Sequence, residues 1–133
     1  MDILSNFVDH INNDLTMPMP LKMGYLSDGE SFVIYPIPGS RVANEFYDGT
    51  KERELNYDIA MQSKDQQALQ AALWIVQDDL ETLKELPSQN DSYDFNEIVI
   101  VDKPFINQID EQGWFVFMLS ITIKIITHKR ESV

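Results

Sequence analysis

The sequence predicts a two-layer α+β fold, with two helices on a mostly antiparallel sheet in the order α-β-β-β-β-α-β-β. Three observations predict it. Two segments carry apolar residues at helical spacing, one near the start and one mid-chain. Around them, short runs rich in β-branched and aromatic residues alternate apolar with polar. Glycine, proline and aspartate punctuate those runs where turns belong.

The first helix is expected over residues 2–15. Ile3, Leu4, Phe7, Val8, Ile11 and Leu15 share one face, while Asp2, Asp9, Asn12 and Asn13 fill the other. Met17-Pro18-Met19-Pro20 ends it, because proline cannot continue the ladder and restricts the residue before it. Lys22 to Leu26 then reads as a strand, with a turn at Ser27-Asp28-Gly29-Glu30. Ser31 to Ile37 is a second strand, bent or ended by Pro36, Pro38 and Gly39.

Arg41 to Tyr47 and Lys51 to Gln62 are expected to form a hairpin around Asp48-Gly49, a strong turn signal between extended runs. In the second arm Leu55, Tyr57, Ile59 and Met61 alternate with Glu54, Asn56, Asp58 and Ala60. One face is therefore buried and the other largely wet. Ser63-Lys64-Asp65-Gln66 matches a capping box with Ser63 at the cap. The helix it opens runs from Lys64 to about Leu86 before Pro87, roughly 33 Å at 1.5 Å per residue. Its stripe is Leu69, Leu73, Val76, Leu80 and Leu83, widened by Ala72 and Ile75.

Residues 88–96 read as a polar loop and Glu97 to Val101 as a strand. Asp102 to Gln112 is mixed, with Pro104 marking a bulge or edge. A turn at Asp110 to Gly113 leads into the longest strand, Trp114 to about His128. There Phe115, Phe117, Leu119, Ile121, Ile123 and Ile125 share one face. Trp114, Val116 and Met118 make the first half apolar on the other face too. That is either a central strand with one end covered, or a patch that meets a partner.

The 133 residues suggest one domain spanning 1–133, since two cores in so short a chain would be very small. There is no internal repeat or low-complexity tract. With no cysteine, disulfides, thiolate metal sites and cysteine nucleophiles are impossible. No apolar run approaches the ~20 residues of a membrane helix. Met1-Asp2-Ile3-Leu4 shows no basic start before an apolar stretch, so a secretory signal is not expected. These features fit a soluble, acidic, intracellular chain.

The formal net charge is −12, unevenly spread. Residues 1–48 hold seven acids and two bases, and residues 65–97 hold eight acids and one base. Residues 49–64 and 98–133 are balanced, at three against three and four against four. Such a surface repels phosphate backbones, so groove-type nucleic-acid binding is disfavoured. It suits a solvated acidic face or steering toward a basic partner.

Catalytic signals are weak, and no enzyme activity or cofactor is expected. His10 and His128 lie near opposite ends of the chain without metal-ligand spacing, so both read as solvated. Neither a GxSxG elbow nor a GxxxxGK[ST] phosphate loop occurs. Asp78-Asp79 on a helix point about 100° apart and cannot share a substrate as acid and base. Asp28, Glu30 and Asp48 lack the alternating acidic loop that calcium prefers. Trp74 and Trp114 read as packing residues in acidic surroundings. Phe46, Tyr47, Tyr93 and Phe95 look exposed. A chain with hairpins, exposed aromatics and no catalytic apparatus reads as an interaction protein.

Tyr47-Asp48-Gly49-Thr50 before an alternating strand, Gln62 to Leu69 opening an amphipathic helix, and Asp110 to Phe115 leading into a long terminal strand occur in succession. This order of elements resembles the small minor capsid or tail-terminator proteins of long-tailed bacteriophages and of prophages of Gram-positive bacteria. The resemblance covers residues 3 to 128, and its three short motifs have structural roles.

The resemblance implies a ring, commonly hexameric, that caps the head-proximal end of the tail tube, ends tube polymerisation and joins tail to head. The implied partners are other copies of the chain, the tail tube protein and the head-connector protein. The implied location is the tail–head junction of the virion, and the host cytoplasm during assembly. DNA would pass through the lumen without specific binding. Subunit contacts are then expected on the hairpin from Arg41 to Arg53, with Phe46 and Tyr47 as anchors and Asp48-Gly49 setting the turn. The alternative is that Phe46 and Tyr47 fold back onto the sheet. Rival readings are a head-completion or neck protein of the same virion, and a small cytosolic ligand-binding regulatory domain with a concave pocket.

Overall fold

A computed structural model describes residues 3–27, 29–83, 93–101, 105–108 and 111–127. The elements are α1 (Ile3–Asp14), β1 (Lys22–Met23), β2 (Ser31–Pro36), β3 (Arg41–Glu45), β4 (Lys51–Ser63), α2 (Gln66–Thr82), β5 (Tyr93–Ile100), β6 (Phe105–Gln108) and β7 (Phe115–Thr127). The α+β class and the predicted helix–strand order hold. The segment from Asp102 to Gln112, read as mixed, contributes the short β6 within the described residues.

The seven strands form one sheet built on two long neighbours. β4 and β7 are each 13 residues and pair antiparallel along their whole length, from Lys51↔Thr127 to Ser63↔Phe115. Each has two shorter partners end to end on its outer side. β2 takes the Tyr57–Gln62 half of β4 and β3 takes the Lys51–Glu54 half. β5 pairs with β7 from Ile121 to Thr127 and β6 from Phe115 to Met118. The one parallel pair is β1 with β2, two residues long.

The alternation read along β4 and β7 decides which face the helices cover. Tyr57, Ile59, Met61, Phe117, Leu119, Ile121, Ile123 and Ile125 are buried with Ile3, Phe7 and Ile11 of α1 and Leu69, Leu73, Val76 and Leu80 of α2 in one cluster. Both helices therefore lie on the same face. Along the other face, side-chain rungs join the long strands: Ser120 Oγ donates to Asp58 at 2.6 Å and Thr122 Oγ1 to Asn56 at 2.7 Å. The polar positions named there are half-buried or, at Thr122, buried, and paired, so this face is drier than the alternation predicts. This face is not uniformly wet, because Val33, Ala60 and Val116 on it are also buried. At that end Gln62 Nε2 donates to Ser27 O and Gly29 O. Of the apolar end of β7, Val116 is covered and Met118 stays exposed.

Local chemistry adjusts several boundaries. The N-cap of α2 is Asp65, whose carboxylate accepts from the Ala68 amide at 3.1 Å, so the helix begins at Gln66. Ser63, expected at the cap, instead ends β4, buried, with its hydroxyl donating to Glu30 and accepting from the Asp65 amide. With Ser63 held in the last position of β4 and its hydroxyl engaged by Glu30, Asp65 is the residue left to cap the helix. α2 ends at Thr82, short of the expected end near Leu86, because Leu83 turns to extended backbone (φ −66°, ψ 121°) as its C-cap. Residues 84–92, Asp102 to Pro104, Asp110 and His128 lie outside the described residues.

Tyr93 and Phe95 belong to β5 rather than to a loop. Tyr93 is buried and its hydroxyl accepts from Asn6 Nδ2 of α1 at 2.9 Å. Phe95 packs partly buried against the core. A second tether, Asn12, exchanges two hydrogen bonds with the Leu21 backbone, at 2.7 and 3.0 Å, and holds the proline-rich connection against α1. Among the described residues no helix is long and apolar enough to cross a membrane.

Candidate subunit interface

The six residues singled out in the sequence all lie on the β3–β4 hairpin. The loop at its tip is built by three local forces. Phe46 and Thr50 close it, with Phe46 N donating to Thr50 O at 2.8 Å. Gly49 N then donates back to Phe46 O at 2.9 Å, the pattern of a three-residue loop with a bulge. Gly49 has φ +89°, a conformation that glycine adopts without steric cost. Asp48 Oδ1 accepts from both the Thr50 amide (3.0 Å) and the Thr50 hydroxyl (2.7 Å), which holds the turn from the side.

The arms are cross-braced by charge. Arg41 reaches Glu54 through Nη2 at 2.7 Å and Nε at 3.0 Å. Asn44 donates to Glu52 at 3.0 Å, and Arg53 donates to the Thr127 hydroxyl at 3.1 Å. Arg41 and Glu54 are direct cross-strand neighbours, which gives the ion pair its geometry. The Arg41 side chain is 69% exposed, so the pair orients the arm more than it stabilises it.

The tip of the hairpin lies beyond the Lys51↔Thr127 pair that ends the β4–β7 ladder, while Arg53 and Leu55 run beside the buried Ile125 and Ile123. Every buried residue of β4 falls between Tyr57 and Ser63, and none between Lys51 and Asn56. Phe46 is half exposed, and Tyr47 is as exposed as an isolated residue. Tyr47 does not fold back onto the sheet, whereas half of Phe46 is covered. The structure thus places the predicted residues on one braced arm that ends in a fully solvated Tyr47 and a half-exposed Phe46.

A second exposed aromatic surface escaped the sequence reading. Trp74 of α2, expected to pack, is 72% exposed. The buried residues of α2 are Leu69, Ala72, Leu73, Val76 and Leu80, and Trp74 lies off that stripe. It flanks a shallow depression of about 490 Å³ with Gln67, Gln70, Ala71 and Gln77. The signal was present as a face 67-70-71-74-77 at helical spacing in a stretch, 66–77, that has no charged residue.

The remaining features offer little chemistry. A pocket of about 220 Å³ at the edge of β2 is lined by Lys22, Tyr25 and Ser31 among others, below the usual size of a small-molecule site. His10 is mostly buried, contrary to the solvated role expected, and its two nitrogens face different carboxylates, Asp14 and Asp79, each at 2.8 Å. Among the described residues no group of three or more His, Asp or Glu side chains is placed to hold a metal.

No curated protein sequence matches the chain. A family model described as bacteriophage tail terminator protein matches residues 10–127. That span runs from within α1 to the last residue of β7 and contains both the braced arm and the Trp74 face. With most of its length matched, the chain belongs to the bacteriophage tail terminator family.

Proposed function

We propose that this chain, as a single domain over 1–133, acts by assembly rather than catalysis. Its copies form a closed ring, a hexamer, on the head-proximal end of the tail tube. The ring ends tube polymerisation, contacts the tail tube protein on one side and receives the head connector on the other. It works at the tail–head junction of the virion after assembly in the host cytoplasm.

The observation that carries this reading is the braced hairpin arm, with Tyr47 fully exposed beyond the core of a tail terminator family member. An exposed aromatic pair costs solubility unless a partner covers it, and interface cores favour such residues. An interface that joins unlike patches and closes by rotation gives a ring. The sheet suits this electrostatically, because residues 49–64 and 98–133 are each charge-balanced in a chain of −12. Acid elsewhere would face solvent or a lumen through which DNA slides without sticking.

The test is electron microscopy of lysates from a phage lacking this gene. Overlong, headless tubes are expected. Finished tails without heads would point to a neck protein, and normal tails joined to heads would overturn the proposal.

A further inference from the structure

The Trp74 face of α2 needs an occupant, and the ring reading, on which this inference rests, supplies one. We infer that the α2 face centred on Trp74 seats the Phe46–Tyr47 tip of the adjacent copy. A ring of identical subunits joined by unlike surfaces requires two different patches on each copy. The hairpin tip and the Trp74 face are two such patches, one convex and one a shallow depression.

Charge selects this pairing. Copies with a net charge of −12 repel wherever acid meets acid. Residues 66–77 carry no charge, and residues 41–53 carry three bases and three acids. The two surfaces can approach without like-charge cost. Just beyond the uncharged stretch, α2 presents Asp78 and Glu81 to solvent. The arm brings Arg41, Lys51 and Arg53, three of the ten basic residues in the chain. Glu45, Asp48 and Glu52 balance them, so the arm approaches the acidic end of the helix with no net charge of its own.

Shape and side-chain chemistry agree. Ala71 leaves the depression open beside the indole, and Gln67, Gln70 and Gln77 line it with neutral donors and acceptors. A tyrosine gains ring contact with Trp74 and an amide partner for its hydroxyl. Aromatic pairs in uncharged surroundings are typical centres of binding energy.

The absence of cysteine makes the pairing directly testable. Glu45→Cys, beside the tip and leaving Phe46 and Tyr47 in place, and Ala71→Cys are made separately, mixed and oxidised, both as purified full-length chains and in tails assembled from them. Both positions are exposed, so neither change removes core. The inference expects a disulfide-linked dimer from the mixture, and a ladder of linked oligomers from the double variant. It also expects Trp74→Glu to weaken self-association about tenfold or more, with unchanged thermal stability. Tails of normal length that contain both cysteines yet give no mixed cross-link would overturn the pairing and leave tube termination standing. Cross-links confined to Glu45→Cys with itself would also overturn it, since the interface would then be symmetric. Overlong tubes in the absence of the gene test the ring reading separately.

Discussion

His10 Nε2 of α1 meets the Asp79 carboxylate of α2 at 2.8 Å, and both side chains are at least four-fifths buried. The contact ties the first helix to the second across 69 residues of chain. Nδ1 of the same ring meets Asp14 at 2.8 Å, but Asp14 is largely exposed and adds little. A carboxylate accepts only, so the contact with Asp79 needs a proton on Nε2. His10→Ala and Asp79→Ala are each expected to cost about 1–3 kcal/mol in urea unfolding. Their double-mutant cycle should leave a coupling of at least about 0.5 kcal/mol. Additive effects would show that the pair is a bystander.

The cap of α2 gives a second measurement. Asp65→Ala is expected to cost about 1 kcal/mol, because the Ala68 amide loses its acceptor. Asp65→Asn should keep most of it. Gln66→Ala should change stability by less than about 0.5 kcal/mol, since Gln66 is an exposed first-turn residue. A large loss at Gln66 in denaturant melts would restore the Ser63–Gln66 box.

These two sites mark where sequence reasoning works and where it stops. Period and punctuation placed both helices, the hairpin and the long strands, because burial on one face imposes a pattern that sequence carries directly. The alternation from Leu55 to Met61 and from Phe117 to Ile125 is of this kind. The six arm residues were legible because Asp48-Gly49 announces a turn locally. What failed depended on distant partners. Ser63 and Asp65 both suit a cap, and only the end of β4 decides between them. Tyr93 reads as a loop residue until Asn6 reaches its hydroxyl. His10 reads as solvated until Asp79 arrives from α2. Trp74 was missed for a different reason: tryptophan defaults to packing, and the neutral stretch around it carries weight only once its helix face is known.

Gly39 shows how the turn after β2 constrains the polar face. It has φ +108°, and a Cβ there would lie 2.7 Å from Asn56 Nδ2. Asn56 cannot give way freely, because its Oδ1 accepts from Thr122 at 2.7 Å. Gly39→Ala therefore strains the backbone and breaks a cross-strand rung, costing about 1–3 kcal/mol. Gly29→Ala, at φ +85° with nothing within 4 Å, carries only the backbone term and should cost less. Chemical denaturation of the two variants in parallel isolates the clash, and equal losses would discount it.

Two tyrosines predict how stability changes at high pH. Burial pushes the Tyr57 hydroxyl above its ordinary value of 10.0. Tyr35 is raised by burial first and then by the Asp58 carboxylate, to which it also hydrogen-bonds. Both keep their protons longer in the folded chain, so the unfolded chain ionises first as pH rises. Their contribution is full below pH 10 and is lost as pH climbs through the raised folded values. Urea unfolding between pH 8 and about 11 should show a steeper loss above pH 10 for the natural chain than for Tyr35→Phe/Tyr57→Phe. Parallel curves would refute a role for either hydroxyl.

Tyr47 separates folding from assembly. Its side chain is fully solvated, and the loop beneath it is held by Gly49, Asp48 and Thr50 rather than by its ring. Tyr47→Ala should thus shift folding stability by less than about 0.5 kcal/mol. At the centre of an interface the same truncation removes an aromatic anchor, a loss of about 2 kcal/mol or more, which is roughly thirtyfold in association. Tyr47→Phe, keeping the ring, should retain most of the binding. Thermal melts read the first effect, and sedimentation velocity together with tail length in complemented lysates reads the second. A Tyr47→Ala protein that melts like its parent and yet assembles normal tails would remove the arm tip from the interface.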